Sequence, residues 1–113
     1  MGGTLTLDVF EKLYAVIEDR KANPAEDSYT CYLFGKGADK ILKKVAEECG
    51  ETIIAAKNGA QEETVGEIAD LFYHVLVLMS AQGIPLAALA DELARRAEKI
   101  GNLKTMKQTD RET

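Results

Sequence analysis

Residues 62–80 read EETVGEIADLFYHVLVLMS, and the fold turns on how this stretch is read. At about 100° per residue, its apolar side chains, Val65, Ile68, Ala69, Leu71, Phe72, Val75, Leu76, Val77, Leu78 and Met79, cover almost the whole circumference of a helix. A helix apolar nearly all round belongs in a core. One narrow stripe breaks the pattern. Glu63, Glu67, Asp70 and His74 follow at i, i+4, i+7 and i+11, so all four project the same way. Carboxylates sunk unpaired into a core carry a heavy desolvation penalty. The stripe must therefore face solvent, a cationic partner or a bound metal.

Working outward, residues 38–58, ADKILKKVAEECGETIIAAKN, form a second long helix. Ile41, Leu42, Val45, Ala46, Cys49, Ile53 and Ala56 share one arc, expected in the core, while Lys40, Lys44, Glu47, Glu48 and Glu51 lie on the opposite flank. Asn58-Gly59 is a helix-ending signal. The short connection to the central helix makes the two antiparallel neighbours. A first helix over residues 4–21, with Thr6 as its N-cap, packs through Val9, Leu13, Val16 and Ile17, with Phe10 and Tyr14 beside them. Pro24 breaks the chain after it. Residues 28–34, SYTCYLF, are read as a short helix because no second strand exists for them to pair with. Gly35 and Gly37 then make a connecting joint. Pro85 opens a last helix to about Ile100, whose stripe of Leu86, Leu89, Leu93, Ala97 and Ile100 is expected to be buried. Residues 101–113 are polar and read as a frayed tail. The fold class is thus all-α, an antiparallel bundle of four main helices plus a short one, in a single domain over residues 1–113 with its core at about 7–100.

The 113 residues carry 19 acidic and 14 basic side chains, a net charge of −5. That excludes the basic footprint of a nucleic-acid grip, but leaves a phosphorylated small molecule possible if divalent cations sit between it and the protein. No uninterrupted apolar run reaches the roughly 18–20 residues that span a bilayer. The N-terminal MGGTLTLDVF lacks the basic and apolar regions of an export signal. Cys31 and Cys49 are therefore read as reduced thiols of a cytoplasmic protein.

Two helices each offer carboxylates three apart, Glu48 and Glu51 on one, Glu67 and Asp70 on the other. That spacing puts both members of a pair on one helix face. Facing each other, the pairs form a hard-oxygen site for Mg²⁺, or Mn²⁺ as a substitute, and not for zinc. The plainer reading keeps Glu47, Glu48 and Glu51 as a solvated face paired with Lys43 and Lys44; Glu67 and Asp70 weigh against it, since their helix has hardly any other polar surface. Glu47 or Glu51, if not fully engaged in ligation, can accept a proton from water. Lys40 and Lys44 share the acidic flank and are candidates for phosphate contacts, Arg95 and Arg96 weaker ones. His74 belongs to no Glu-x-x-His pair and is read as a support behind the ligands or as structural.

EECGE at 47–51, followed by EIAD at 67–70, resembles the ExxE…ExxD signature of the all-α MazG-like nucleotide pyrophosphohydrolases. Together with SYTCYLF, KGADKILKKVAEECGE, IIAAKN and EIADLFYHVLVL, the chain from about 7 to 100 looks like the phosphoribosyl-ATP pyrophosphohydrolase family of histidine biosynthesis. Cys49 stands where that family usually has alanine, a small-for-small exchange.

The resemblance implies a Mg²⁺-dependent reaction in which water splits phosphoribosyl-ATP into phosphoribosyl-AMP and pyrophosphate. It implies metal ligation by Glu48, Glu51, Glu67 and Asp70, and a stand-alone enzyme without a fused cyclohydrolase domain. It also implies a homodimer, and the amount of apolar helix surface agrees with one. Two other readings stay open: a house-cleaning pyrophosphatase acting on other nucleotides through the same metal site, and a non-enzymatic helical dimerisation module whose acidic stripe docks a basic partner.

Overall fold

The computed structural model describes residues 2–99, and they are helical throughout their regular parts: α1 (Gly2–Ala22), α2 (Tyr29–Lys36), α3 (Ala38–Lys57), α4 (Gln61–Ala81) and α5 (Leu86–Ala97). No strand occurs among the described residues. The bundle and the helical reading of the SYTCYLF stretch both hold. α1 begins at Gly2, so Thr6 lies inside the helix instead of capping it. Ile100 and the tail at 101–113 fall outside the described residues.

Local chemistry accounts for the breaks. Ser28 is extended, and its Oγ accepts the Cys31 N–H at 3.2 Å, capping α2. Gly37, at φ +95°, is the junction of α2 and α3: its N–H donates to the Leu33 carbonyl and its own carbonyl accepts from Ile41. At the end of α3, the N–H of Asn58 donates to Ile54 and that of Gly59, at φ +70°, to Ala56. This left-handed glycine cap reverses the chain within three residues and lays α4 back along α3.

The core gathers Ile17 of α1, Leu33 of α2, Ile41 of α3, and Leu76, Val77 and Met79 of α4. α1 also holds the end of α4 by polar contacts. Ser80, fully buried, donates from Oγ to Glu18 at 2.6 Å, and the Lys21 ammonium donates to the Ser80 carbonyl at 2.7 Å. The Ser80 hydrogen bond, with the nearby Lys21, keeps the Glu18 carboxyl below its ordinary range.

The apolar stripes are only half used within one chain, and here the sequence-based expectations need correction. On α3 the inward line is Ile41, Glu48 and Ala55, while Leu42, Ala46, Cys49, Ile53 and Ala56 are exposed. α1 packs through Phe10, Leu13, Tyr14 and Ile17, leaving Val9 and Val16 outside. α5 contributes Leu86 to the core periphery, but Leu89 and Leu93 are exposed. α4 buries His74, Leu76, Val77, Met79 and Ser80, yet Val65, Ile68 and Phe72 face solvent. They lie on the same side of α4 as buried Leu76 and Met79, so one stripe runs on past the end of the core that covers it. The common reason is that α3 and α4 each have apolar arcs wider than a single neighbour can cover. Contrary to the expectation from uninterrupted runs, α4 is long and apolar enough on average to cross a membrane. Its packing against α3 and its carboxylates at Glu62, Glu63, Glu67 and Asp70 are those of a bundle helix.

Candidate metal centre

Glu48 occupies the middle of the inward line of α3, where an apolar residue would be expected, and is 5% exposed. Across from it, α4 presents Glu67 and Asp70. One carboxylate oxygen from each of Glu48, Glu67 and Asp70 lies within 4.8 Å of the other two. The turn at Gly59 produces this meeting, because it sets the two helices antiparallel in a register that faces the acids.

The oxygens of Glu48 differ. Oε1 stands 3.8 Å from the Lys44 ammonium, whereas Oε2 is buried without a hydrogen-bond partner. Oε2 of Glu67 is buried and unpartnered in the same way. Glu51, one turn after Glu48, is exposed but close enough to bear on both. Its contact with Glu67, together with burial and with Glu48, pushes the Glu67 carboxyl up to about 7. Burial raises Glu48 first, with the charges of Glu51 and Asp70 adding to it. Carboxylates this close have no hydrogen to share unless one is protonated, so the ionised cluster is self-repelling. What it lacks is positive charge. Oxygen donors only, two of them orphaned and buried, fit a hard divalent cation.

The remaining candidates fall around this point. Glu47 is exposed and tied to Lys44 at 3.0 Å, an ion pair that holds the Glu47 carboxyl below its ordinary range and raises the lysine. Lys44 thus bridges Glu47 and the edge of the cluster. Lys40 lies one turn earlier on that flank, half-buried, with its charge reaching Glu47. Arg95 and Arg96 both bind Glu92 of their own helix, pulling its carboxyl down to about 2. His74 is buried, with Nδ1 2.7 Å from the Asp70 carbonyl and Nε2 3.0 Å from the Tyr29 hydroxyl. Both ring nitrogens are engaged, so the histidine supports the site without being one of its ligands.

Sequence reasoning left two neighbours out of the site. Glu63 lines a cleft of about 370 Å³ with Glu51, Ile54, Glu67 and Asp70; its place on the acidic stripe was the available signal. Tyr29, held to His74, feels the charges of Lys44 and Glu48. Its signal was the Tyr29–Tyr32 pair one helical turn apart, which stacks at 6.0 Å.

Comparison with known proteins identifies the family. The family model described as phosphoribosyl-ATP pyrophosphohydrolase matches residues 10–97. The phosphoribosyl-ATP pyrophosphatase of Clostridium botulinum (strain Kyoto / Type A2) is 54% identical over 102 residues, covering 90% of this chain and 93% of the relative. The enzyme of the same name from Clostridium acetobutylicum is 55% identical over 97 residues, 86% and 88% of the two chains. That from Bacillus mycoides is 47% identical over 103 residues, 91% and 96%. A match spanning the helices that carry Glu48, Glu51, Glu67 and Asp70, at such identity and coverage, leaves one conclusion: the chain belongs to the phosphoribosyl-ATP pyrophosphohydrolase family.

Proposed function

We propose that this member of the family hydrolyses the α–β phosphoanhydride of phosphoribosyl-ATP, giving phosphoribosyl-AMP and pyrophosphate, with Mg²⁺ held by Glu48, Glu51, Glu67 and Asp70. The observation that carries the metal assignment is the pair of buried, unpartnered oxygens on Glu48 and Glu67 where α3 faces α4. When bound, Mg²⁺, or Mn²⁺ in its place, offsets the charge of the triphosphate and acidifies water.

The side chains divide the other tasks. Glu51 is exposed at the mouth of the cluster and beside Glu67, placed to accept a proton from the attacking water. Glu47 is the weaker base, because its ion pair with Lys44 lowers its proton affinity. Lys44, with Lys40 one turn earlier, presents ammonium groups to the phosphates at the edge of the acidic cluster. Turning toward substrate would cost Lys44 a partly exposed pair with Glu47 of modest worth, and its 3.8 Å contact with buried Glu48, whose charge a bound cation would then have to balance.

The enzyme works as a cytoplasmic homodimer with neither nucleic acid nor membrane as a partner. Leu42 and Ile53 of α3, and Val65, Ile68 and Phe72 of α4, supply the apolar surface for the second copy. Such exposure on the two helices that carry the site is more than an isolated small domain normally leaves bare.

The deciding experiment is pyrophosphate release from phosphoribosyl-ATP, with and without Mg²⁺, beside ATP, dCTP and dUTP. Metal-dependent release preferring phosphoribosyl-ATP is expected. Preference for the common nucleotides would reassign the chain as a house-cleaning enzyme, and no release from any would leave only a helical dimerisation module.

A further inference from the structure

Tyr29 opens α2 and is 44% exposed, yet its hydroxyl is fixed from behind. The Asp70 carbonyl can only accept, so Nδ1 of His74, 2.7 Å away, carries the hydrogen of the neutral imidazole. Nε2 is then an acceptor, and at 3.0 Å it takes the hydrogen of the Tyr29 hydroxyl. The adjacent pair repeats the link, with the Thr30 hydroxyl bonded to that of Tyr73, so α2 is pinned to α4 at two successive residues. The rings of Tyr73 and His74 meet edge-on at 4.9 Å, which restricts the imidazole further. With its hydrogen spent inward, the Tyr29 oxygen offers the outside only lone pairs. The histidine that fixes it is bonded to the carbonyl of Asp70, a member of the candidate metal centre, and the charges of Lys44 and Glu48 reach the Tyr29 hydroxyl.

We propose that Tyr29 is a specificity-determining residue whose hydroxyl oxygen, oriented by His74, accepts a hydrogen bond from a ribose hydroxyl of the substrate. The proposal rests on the pyrophosphohydrolase reading above. Phosphate oxygens held at the acidic cluster have no hydrogen to donate, so they cannot satisfy Tyr29. The group bonded directly to the α-phosphate is the ribose, the nearest part of the substrate that carries donors. His74 is a positioning residue. It touches no substrate, and its effect passes through the direction of one hydrogen.

The test is a cycle between protein and substrate. Pyrophosphate release is measured for phosphoribosyl-ATP and for its 2′-deoxy and 3′-deoxy counterparts in the triphosphate-bearing ribose, using the wild-type chain, Tyr29→Phe and His74→Asn. The wild type is expected to prefer the full ribose over one of the two analogues by roughly tenfold in kcat/KM, the worth of one hydrogen bond. Tyr29→Phe should reduce that preference to less than about twofold, again within the worth of a single bond. His74→Asn keeps a donor for the Asp70 carbonyl but removes the acceptor behind Tyr29, and should erode the preference although the tyrosine is present. Each ratio is internal to one variant, so partial unfolding lowers all three substrates alike and leaves it unmoved. An equal preference in wild type and Tyr29→Phe, or none in the wild type, overturns the proposal. Full preference in His74→Asn overturns the positioning role. Wild type inactive on all three substrates overturns the functional reading and this inference with it, a result distinct from three equal rates.

Discussion

Glu48 meets Lys44 through only one of its two oxygens: Oε1 lies 3.8 Å from the ammonium, while Oε2 is buried with no donor. A lysine on both sides would make an ordinary internal ion pair. A lysine on one side and carboxylates on the other leave the acid half-neutralised, a costly arrangement in a core unless something positive completes it.

Removing one charge should therefore stabilise the empty protein and ruin the loaded one. In Glu67→Gln, with a chelator present, we expect a melting temperature above that of wild type. Millimolar Mg²⁺ should raise the wild-type melting temperature through linkage and leave the variant unmoved. Turnover should fall by more than the roughly 10–100-fold that loss of a mere supporting partner costs. Calorimetry with and without Mg²⁺ reads all but the last; a variant less stable than wild type would mean the carboxylates are satisfied in another way.

The raised Glu67 carboxyl sets a pH dependence of definite sign. Its ordinary value is 4.5 and its value here about 7, so between these limits the folded chain binds more protons than the unfolded one. The Glu67 contribution to the stability of the metal-free protein is then fully present below pH 4.5 and is lost as pH climbs through 7. The lowered carboxyl of Glu92, at about 2, acts in a separate window: its contribution is lost only as pH drops below its ordinary 4.5. Proton and cation compete for the cluster, so Mg²⁺ should bind more tightly across the interval in which apo stability falls. Melting curves at pH 5 and 7.5, each with chelator and with saturating Mg²⁺, check the crossing of the two trends.

Gly59 sits at φ +70°, with open space where a Cβ would stand. Gly59→Ala should therefore cost only the backbone penalty of the left-handed region, about 1–2 kcal/mol, read by urea denaturation. A neutral result would mean the turn relaxes to another conformation.

At the other end of α4, Ser80→Ala removes the donor to Glu18 from a fully buried position. We expect a loss of about 1–2 kcal/mol with kcat nearly unchanged, because the contact lies remote along the helix from Glu67 and Asp70. An equal collapse of kcat would reveal coupling along α4.

Ile53, 62% exposed on the outer arc of α3, tests assembly. Sedimentation at micromolar concentration should show a dimer for the wild type and a monomer for Ile53→Glu. A wild-type monomer counts against the proposed interface.

Helix number, order and antiparallel pairing were legible because 3.6-residue periodicity and the Asn58-Gly59 signal are local properties. The acids were legible for a related reason, since Glu67 and Asp70 stand out on a helix with little other polarity. The inward face was not. In α3 the residues from Ile41 round to Ile53 form one wide apolar arc, and periodicity alone cannot divide it between a neighbour in the same chain and an exposed outer face. Glu48, buried on the inward line, broke the rule that charge faces out. For Tyr29 the spacing to Tyr32 was at most a hint, because its proposed role depends on a histidine 45 residues away, a pairing that only the folded chain creates.

The connection at residues 58–60 has a meaning beyond economy of chain. Adding or deleting one residue there would change where α4 starts against α3 and shift Glu67 and Asp70 out of register with Glu48. The hairpin is in effect a ruler. On the proposed function its length matters as much as the acids it aligns, and drift in loop length, harmless elsewhere on the surface, would here disperse the cluster without touching any of its members.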